Sequence, residues 1–176
     1  MSLIHSYSTM QRSFARKEGF TLIEILVTLL ILSIGLLGVA SLQVQGMRNN
    51  QSAYLKSQAS MLAYDMADRM RANEAQALAG SYTPFDTQGN VPTAPNCSNN
   101  AGCTPANTAI SDLAEWADLL NGTVSGMSML PSAQGTVAVS GGNEFTVTIS
   151  WQETQWDEAT SVNALTNQSF SILFRL

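Results

Sequence analysis

Few side chains in this 176-residue sequence can do chemistry, and their positions limit what it could be. One carboxylate, Glu24, stands alone in an apolar run, since no other charged residue occurs between Phe20 and Met47. Cys97 and Cys103 are the two cysteines and His5 the one histidine. Asp65 and Arg69 are spaced i,i+4, and Asp157 and Glu158 are the only adjacent acids. An isolated acid in apolar surroundings is an electrostatic device that waits for a cation. Two cysteines can form a disulfide or contribute half of a zinc site, but no further good ligand lies near them. Asp157 and Glu158 fall in the stretch read as a loop between the last two strands, where a calcium ion would need six or more oxygens and no acidic repeat appears. Without grouped carboxylates, and with no imidazole beyond His5, no catalytic constellation, metal site or cofactor site can be named. The expectation is that the protein is not an enzyme.

The element that must position Glu24 is a long helix. A helix over Phe20 to Leu42 is roughly 35 Å long at ~1.5 Å per residue, enough to cross a hydrocarbon core about 30 Å thick. A carboxylate near its start costs about 2.5–3.5 kcal/mol on the milder insertion scales, so a nearby cation is wanted. Arg12, Arg16 and Lys17 precede the run. Basic residues beside a span stay cytoplasmic, which predicts N-in, C-out topology in the inner membrane and a head in the periplasm. There Cys97 and Cys103 would oxidise to a disulfide that pins the ring between them.

The order basic leader, Gly19-Phe20-Thr21-Leu22-Ile23-Glu24, long apolar helix resembles the type IV pilin family and its processing signal. The resemblance implies that a prepilin peptidase cuts between Gly19 and Phe20, methylates the new amine on Phe20 and leaves the apolar segment in place. It also implies that Glu24 pairs with the amine of a neighbouring subunit during docking. Two charges that are costly apart in lipid and tolerable together set a registry. A signal anchor or a secretory signal cut before Ser41 competes with this reading, although a secretory apolar region would be shorter and free of Glu24. Ser33, Gly35 and Gly38 allow close helix packing in lipid, or are simply tolerated there. No proline occurs between Phe20 and Tyr82, unlike many major pilins.

Beyond Met47, Leu55, Ala59, Leu62, Met66 and Met70 step by four, three, four and four, which draws one apolar helical face, with Lys56, Arg71 and Glu74 opposite. Asp65 and Arg69 project to the edge of that face, as a contact to the head or a neighbour, or as a solvated pair. The segments Ser52–Ala59 and Leu62–Asn73 resemble minor pilins of the PilV type, as do the cysteines followed by Asp112-Leu113-Ala114-Glu115-Trp116. Gly80 predicts the helix end, and residues 81–104, with Pro84, Pro92 and Pro95, read as an irregular loop. Thr104-Pro105 and Asn121-Gly122 bracket a short helix whose apolar face is Ile110, Leu113, Ala114, Ala117 and Leu120. Trp116 fits a core better than a partner contact. Thr136–Ser140, the turn Gly141-Gly142-Asn143 and Glu144–Trp151 read as a hairpin. Phe145, Val147, Ile149 and Trp151 face a core, as do Phe170, Ile172, Phe174 and Leu176 on the last strand.

The expected fold class is α+β and pilin-like: a long N-terminal helix packed on a small antiparallel β-sheet head with a short extra helix. The boundaries are a leader at 1–19, an apolar helix half at 20–47, an amphipathic half at 48–80, a loop at 81–104 and a head at 105–176. Loss of the leader removes three bases and one acid, leaving five bases against twelve acids, or −7 before the new amine. Only Arg175 is basic after Arg71, which argues against direct nucleic-acid binding by the head. The expected function is a minor pilin in a priming complex, at the pilus tip beneath an adhesin-like protein, serving twitching motility or adhesion. Its partners would be the prepilin peptidase, other minor and major pilins, that adhesin-like protein and the inner membrane, before display on the cell surface. A type II secretion pseudopilin is the main alternative, and a DNA-capturing minor pilin a weaker one.

Overall fold

The computed structural model describes residues 19–97, 102–157, 160 and 162–176. Residues 1–18 of the expected leader, the stretch 98–101 between the cysteines, and Glu158 lie outside the described residues. The chain divides into two compact units between Gly46 and Met47. Its elements are α1 (Leu22–Ala72), α2 (Glu74–Leu78), β1 (Phe85–Asp86), α3 (Pro105–Asn121), β2 (Gln134–Gly141), β3 (Glu144–Asp157) and β4 (Val162–Arg175). The strands form one antiparallel sheet in the order β1-β2-β3-β4, so the architecture is α+β and pilin-like, with a long N-terminal helix.

In the first unit the large apolar side chains from Leu22 to Val44 are exposed among the described residues. Its hydroxyls are satisfied within the helix: Thr28 Oγ1 donates to Ile25 O at 2.9 Å and Ser33 Oγ to Leu29 O at 2.7 Å. Neither hydroxyl therefore needs water, which suits an apolar medium. Among the described residues α1 is the one helix long and apolar enough to cross a membrane.

In the second unit Leu55, Ala59, Leu62, Met66 and Met70 are buried, joined by Ala63 and Ala67. The alanines let neighbouring elements approach this face closely. Trp116 of α3 lies in the core and its Nε1 donates to Leu62 O at 2.9 Å. The indole thus buries its area while its one donor finds a partner. The core side of α3 is Ala109, Leu113, Trp116, Ala117 and Leu120, and Ile110 is exposed, which corrects the expected face. The i, i+4, i+7, i+8, i+11 series beginning at Ala109 centres on the tryptophan, and Ile110 is one residue off that register. The α3 ends form as expected: Thr104 Oγ1 accepts from Asn107 N, Pro105 opens the helix, and Gly122 closes it with φ +62°.

Three further expectations need correction. The helix does not run to Gly80: α1 stops at Ala72, and α2 follows after Asn73, whose backbone leaves helical geometry. The cause is a tertiary pull on the amide, since Asn73 Nδ2 donates to Pro105 O at 2.8 Å and to Tyr82 Oη at 3.2 Å. The stretch after Gly80 is not wholly irregular, because Phe85 and Asp86 pair with Val137 and Thr136 as an edge strand. Finally, the hairpin strands are longer than expected. Gly141 closes β2 by pairing with Glu144, and Asp157 is the last residue of β3, paired with Val162, instead of a loop residue.

The inward series Phe145, Val147, Ile149 and Trp151 is buried. Phe174 is buried beside it, with Phe170, Ile172 and Leu176 packed against the core. The helix layer meets the sheet closely at Gly135 of β2. A Cβ there would lie 2.4 Å from Trp116 Cη2 and 2.5 Å from Leu120 Cδ1. Both side chains are locked in the core, so Gly135→Ala overpacks it and is expected to cost about 1–3 kcal/mol. Chemical denaturation of the detergent-solubilised full chain, followed by tryptophan fluorescence, measures this; an unchanged midpoint would show that the layers can separate without penalty.

Candidate functional site

The N-terminal constellation occupies the first turn of α1. Gly19 and Phe20 precede the helix and are exposed, and no atom lies within 4 Å of the position a Gly19 Cβ would occupy. Thr21 caps the helix: its carbonyl accepts from Glu24 N at 3.1 Å and from Ile25 N at 3.3 Å, and its Oγ1 accepts from Glu24 N at 3.3 Å. Glu24 lies one turn from Phe20, where the helix dipole favours negative charge. The Gly19–Phe20 bond and the carboxylate are thus neighbours, and both face outward.

The head contains a second constellation, anchored on Arg69. Its Nε donates to Asp65 Oδ2 at 2.9 Å, and its Nη1 donates to Asp112 Oδ1 at 3.1 Å and to Glu115 Oε2 at 3.0 Å. Asp112 is buried and also accepts from Tyr82 Oη at 2.5 Å. Tyr82 in turn accepts from Asn73. Arg69, Asp65, Asp112, Glu115, Tyr82 and Asn73 therefore tie the end of α1 to α3 and to the segment after α2. Burial disfavours the Arg69 charge, but the hydrogen bonds to Glu115, Asp65 and Asp112 more than offset it and hold the guanidinium above its usual range. Burial, and then the bond donated to Asp112, push the Tyr82 phenol up from its ordinary value of 10.0.

The sequence leaves the Asp65–Arg69 pair open between a contact to the head or a neighbour and a solvated pair. The structure makes it a head contact and adds Asp112, Glu115, Tyr82 and Asn73, which sequence reasoning missed. A signal was present: Asp112 falls three residues after Ala109 and four before Trp116, so it sits on the buried face of α3. An acid there requires a donor, and Arg69 at the edge of the apolar face of α1 was the available base. Arg71, read as lying on the solvated side, pairs with Asp68 at 2.7 Å and also lies over the Phe174 ring at 5.1 Å.

Cys97 and Cys103 are joined in a disulfide, with Cα atoms 5.0 Å apart. Cys103 lines a shallow pocket with Arg69, Asn73, Pro105 and Asp112, so the ring closes beside the Arg69 cluster.

A model of the prokaryotic N-terminal methylation motif matches residues 14–40, and one of the type IV pilin Tt1218 matches residues 41–114. The two matches abut and cover the chain from before the Gly19–Phe20 bond to the middle of α3. The chain belongs to the type IV pilin family. No curated protein and no solved structure matches it. The methylation motif implies processing by a prepilin peptidase and assembly with other pilins, and pilins are structural subunits. Together with the apolar helix it suggests membrane anchoring before assembly. The pilin match takes in Asp65, Arg69, Asn73, Tyr82 and Asp112, so both sides of the cluster lie within it.

Two predictions concern this pilin's cluster. Arg69→Ala leaves the buried Asp112 carboxylate without its cation and is expected to lower stability by about 2–4 kcal/mol. Adding Asp112→Asn, which still accepts from Tyr82, should recover part of that loss. Denaturation midpoints of the three full-length proteins test this, and a double variant no more stable than the single one would overturn it. Tyr82 gives a pH signature. Above pH 10.0 the unfolded chain loses the phenolic proton while the folded chain keeps it, so stability falls as pH rises from there. Tyr82→Phe removes this term, and its stability should decline less steeply between pH 10 and 11 than that of the unsubstituted chain.

Proposed function

We propose that this chain is a minor pilin of the PilV type, cut between Gly19 and Phe20, N-methylated on Phe20, and incorporated in a priming complex at the pilus tip. The observation that carries the reading is the one-turn constellation at the start of α1. The Gly19–Phe20 bond is exposed, and Glu24, the one charge between Phe20 and Met47, follows it on a helix whose apolar side chains are exposed. Cleavage creates a cation on Phe20, and in a low-dielectric filament core Glu24 is stabilised only by such a charge. An incoming subunit then settles in the axial register where amine and carboxylate meet. The PilV assignment rests on the Ser52–Ala59 and Leu62–Asn73 segments and on the Cys97–Cys103 ring followed by Asp112-Leu113-Ala114-Glu115-Trp116. An N-in anchor with a periplasmic head accords with Arg12, Arg16 and Lys17 ahead of the helix.

Intact mass of the membrane-extracted protein, before and after reduction, tests the pathway. The expected species begins at N-methylated Phe20 and gains two hydrogens on reduction; a chain beginning at Ser41 would overturn the reading. Glu24→Ala is expected to remain inserted and processed but to be poorly recovered in sheared pili. Deleting the gene should impair twitching motility; loss of protein secretion instead would favour a pseudopilin.

A further inference from the structure

An acid stands on the core face of β3 where the next apolar residue is due. Phe145, Val147, Ile149 and Trp151 point inward in steps of two, and Glu153 continues the series. It is buried, at 7% exposure. One carboxylate oxygen accepts from Trp151 Nε1 at 2.7 Å, and the other has only a long contact from Gln155 Nε2 at 3.5 Å. A glutamine would serve the indole equally well, so that bond does not account for a charge. A buried carboxylate calls for a cation, yet Glu153 forms no ion pair among the described residues.

Glu153 lines a cleft of about 340 Å³ that also holds a cation, Arg48. Arg48, Gln51 and Ser52 form its wall on α1, and the cross-strand pair Thr154 and Leu165 belongs to its wall on the sheet. Like Glu153, Arg48 has no ion pair among the described residues. Both lie within the second unit. A cation and an anion that share a cleft without meeting select a ligand that carries both charges.

The place of Arg48 along the chain selects among such ligands. Because α1 is continuous from Leu22 to Ala72, Arg48 lies six residues beyond Leu42, where a hydrocarbon core would end. That is about 9 Å along the helix, and the headgroup layer outside the core is about 5–7.5 Å thick. An arginine side chain is long enough to reach back to a phosphate there. Arg48 is also the first charged residue after Glu24, so it is the first side chain of the helix able to pair with lipid phosphate.

We propose that this cleft binds the phosphoethanolamine headgroup of a membrane phospholipid, with Arg48 on the phosphate and Glu153 on the primary ammonium. The ammonium brings three N–H donors to a carboxylate with acceptor capacity to spare. A choline headgroup lacks those donors, and a glycerol headgroup leaves Glu153 without a cation. The site rests on the membrane-anchored state inferred above and adds what the head takes hold of in that state.

The test uses the full chain extracted from membranes into detergent. Native mass spectrometry with phosphatidylethanolamine, phosphatidylcholine and phosphatidylglycerol of matched acyl chains is expected to show one phosphatidylethanolamine retained at least tenfold over either of the others. Arg48→Gln and Glu153→Gln are each expected to abolish that preference. Near-ultraviolet circular dichroism should stay unchanged in both, since Arg48 is exposed and glutamine at 153 still accepts from Trp151. Lys56→Gln, outside the cleft, should keep the preference. Equal retention of the three lipids, or an undiminished preference in both variants, would overturn the proposal and leave the minor-pilin reading intact. So would free phosphoethanolamine bound as tightly as the lipid, which would make the ligand a soluble phosphoamine. Recovery of the unsubstituted chain in the soluble fraction of the cell would overturn the membrane-anchored reading itself, and the site with it.

Discussion

Apolar surface has to leave water somewhere, and α1 meets this demand with two different partners. In the head-bearing half Leu55, Leu62, Met66 and Met70 are covered by the chain's own core. Each such side chain contributes about 1.5–3 kcal/mol, so this face alone outweighs any single polar contact in the head. In the apolar half the large apolar side chains from Leu22 to Val44 are exposed among the described residues. A run of exposed leucine, isoleucine and valine of that length is insoluble as it stands, and is acceptable only in lipid or against other helices. The same helix therefore belongs to the protein's own core at one end and to an assembly at the other.

Where the head closes on α1, packing and charge act together. Trp116 inserts between α1 and β2, and the absence of a side chain at Gly135 makes room for its ring. Beside it, Arg69 meets three carboxylates and Asp112 also takes the Tyr82 proton donor. Such a cluster adds less to stability than an apolar core of equal volume, but it is unforgiving of misplacement, since every buried member needs its partner. It holds the helix end, α3 and the segment after α2 in one register. Asn73 completes the join by leaving the helix to bond Pro105 and Tyr82, which is why α1 ends where it does.

The acidic head fits the same picture. Its carboxylates are used structurally: Asp118 accepts from Val124 N at 2.5 Å and Ser125 N at 3.1 Å, and these backbone bonds hold its carboxyl below the usual range. Glu153 is buried and accepts from Trp151 Nε1 at 2.7 Å, while Glu144 pairs with Arg175 at 2.8 Å. These acids organise loops and strand ends.

The sequence by itself determined whatever is periodic or local. The long helix, its apolar first half, the face from Leu55 to Met70, the ends of α3 and the alternation of β3 all follow from spacing and from the conformational limits of proline and glycine, which act within a few residues. The pairing of two cysteines six residues apart is local in the same sense. Only the tertiary structure decided the rest. Asp112, Glu115 and Tyr82 come to Arg69 from 43, 46 and 13 positions away, and no local pattern reports which distant side chains will share one site. The break at Asn73 had no local cause, because its partners lie at Tyr82 and Pro105. The two-residue strand at Phe85 exists only because β2 offers it an edge, and Ile110 lost its expected place because α3 rotated to bury Trp116. In each case the deciding energy came from groups far apart in the chain, a quantity that periodicity does not contain.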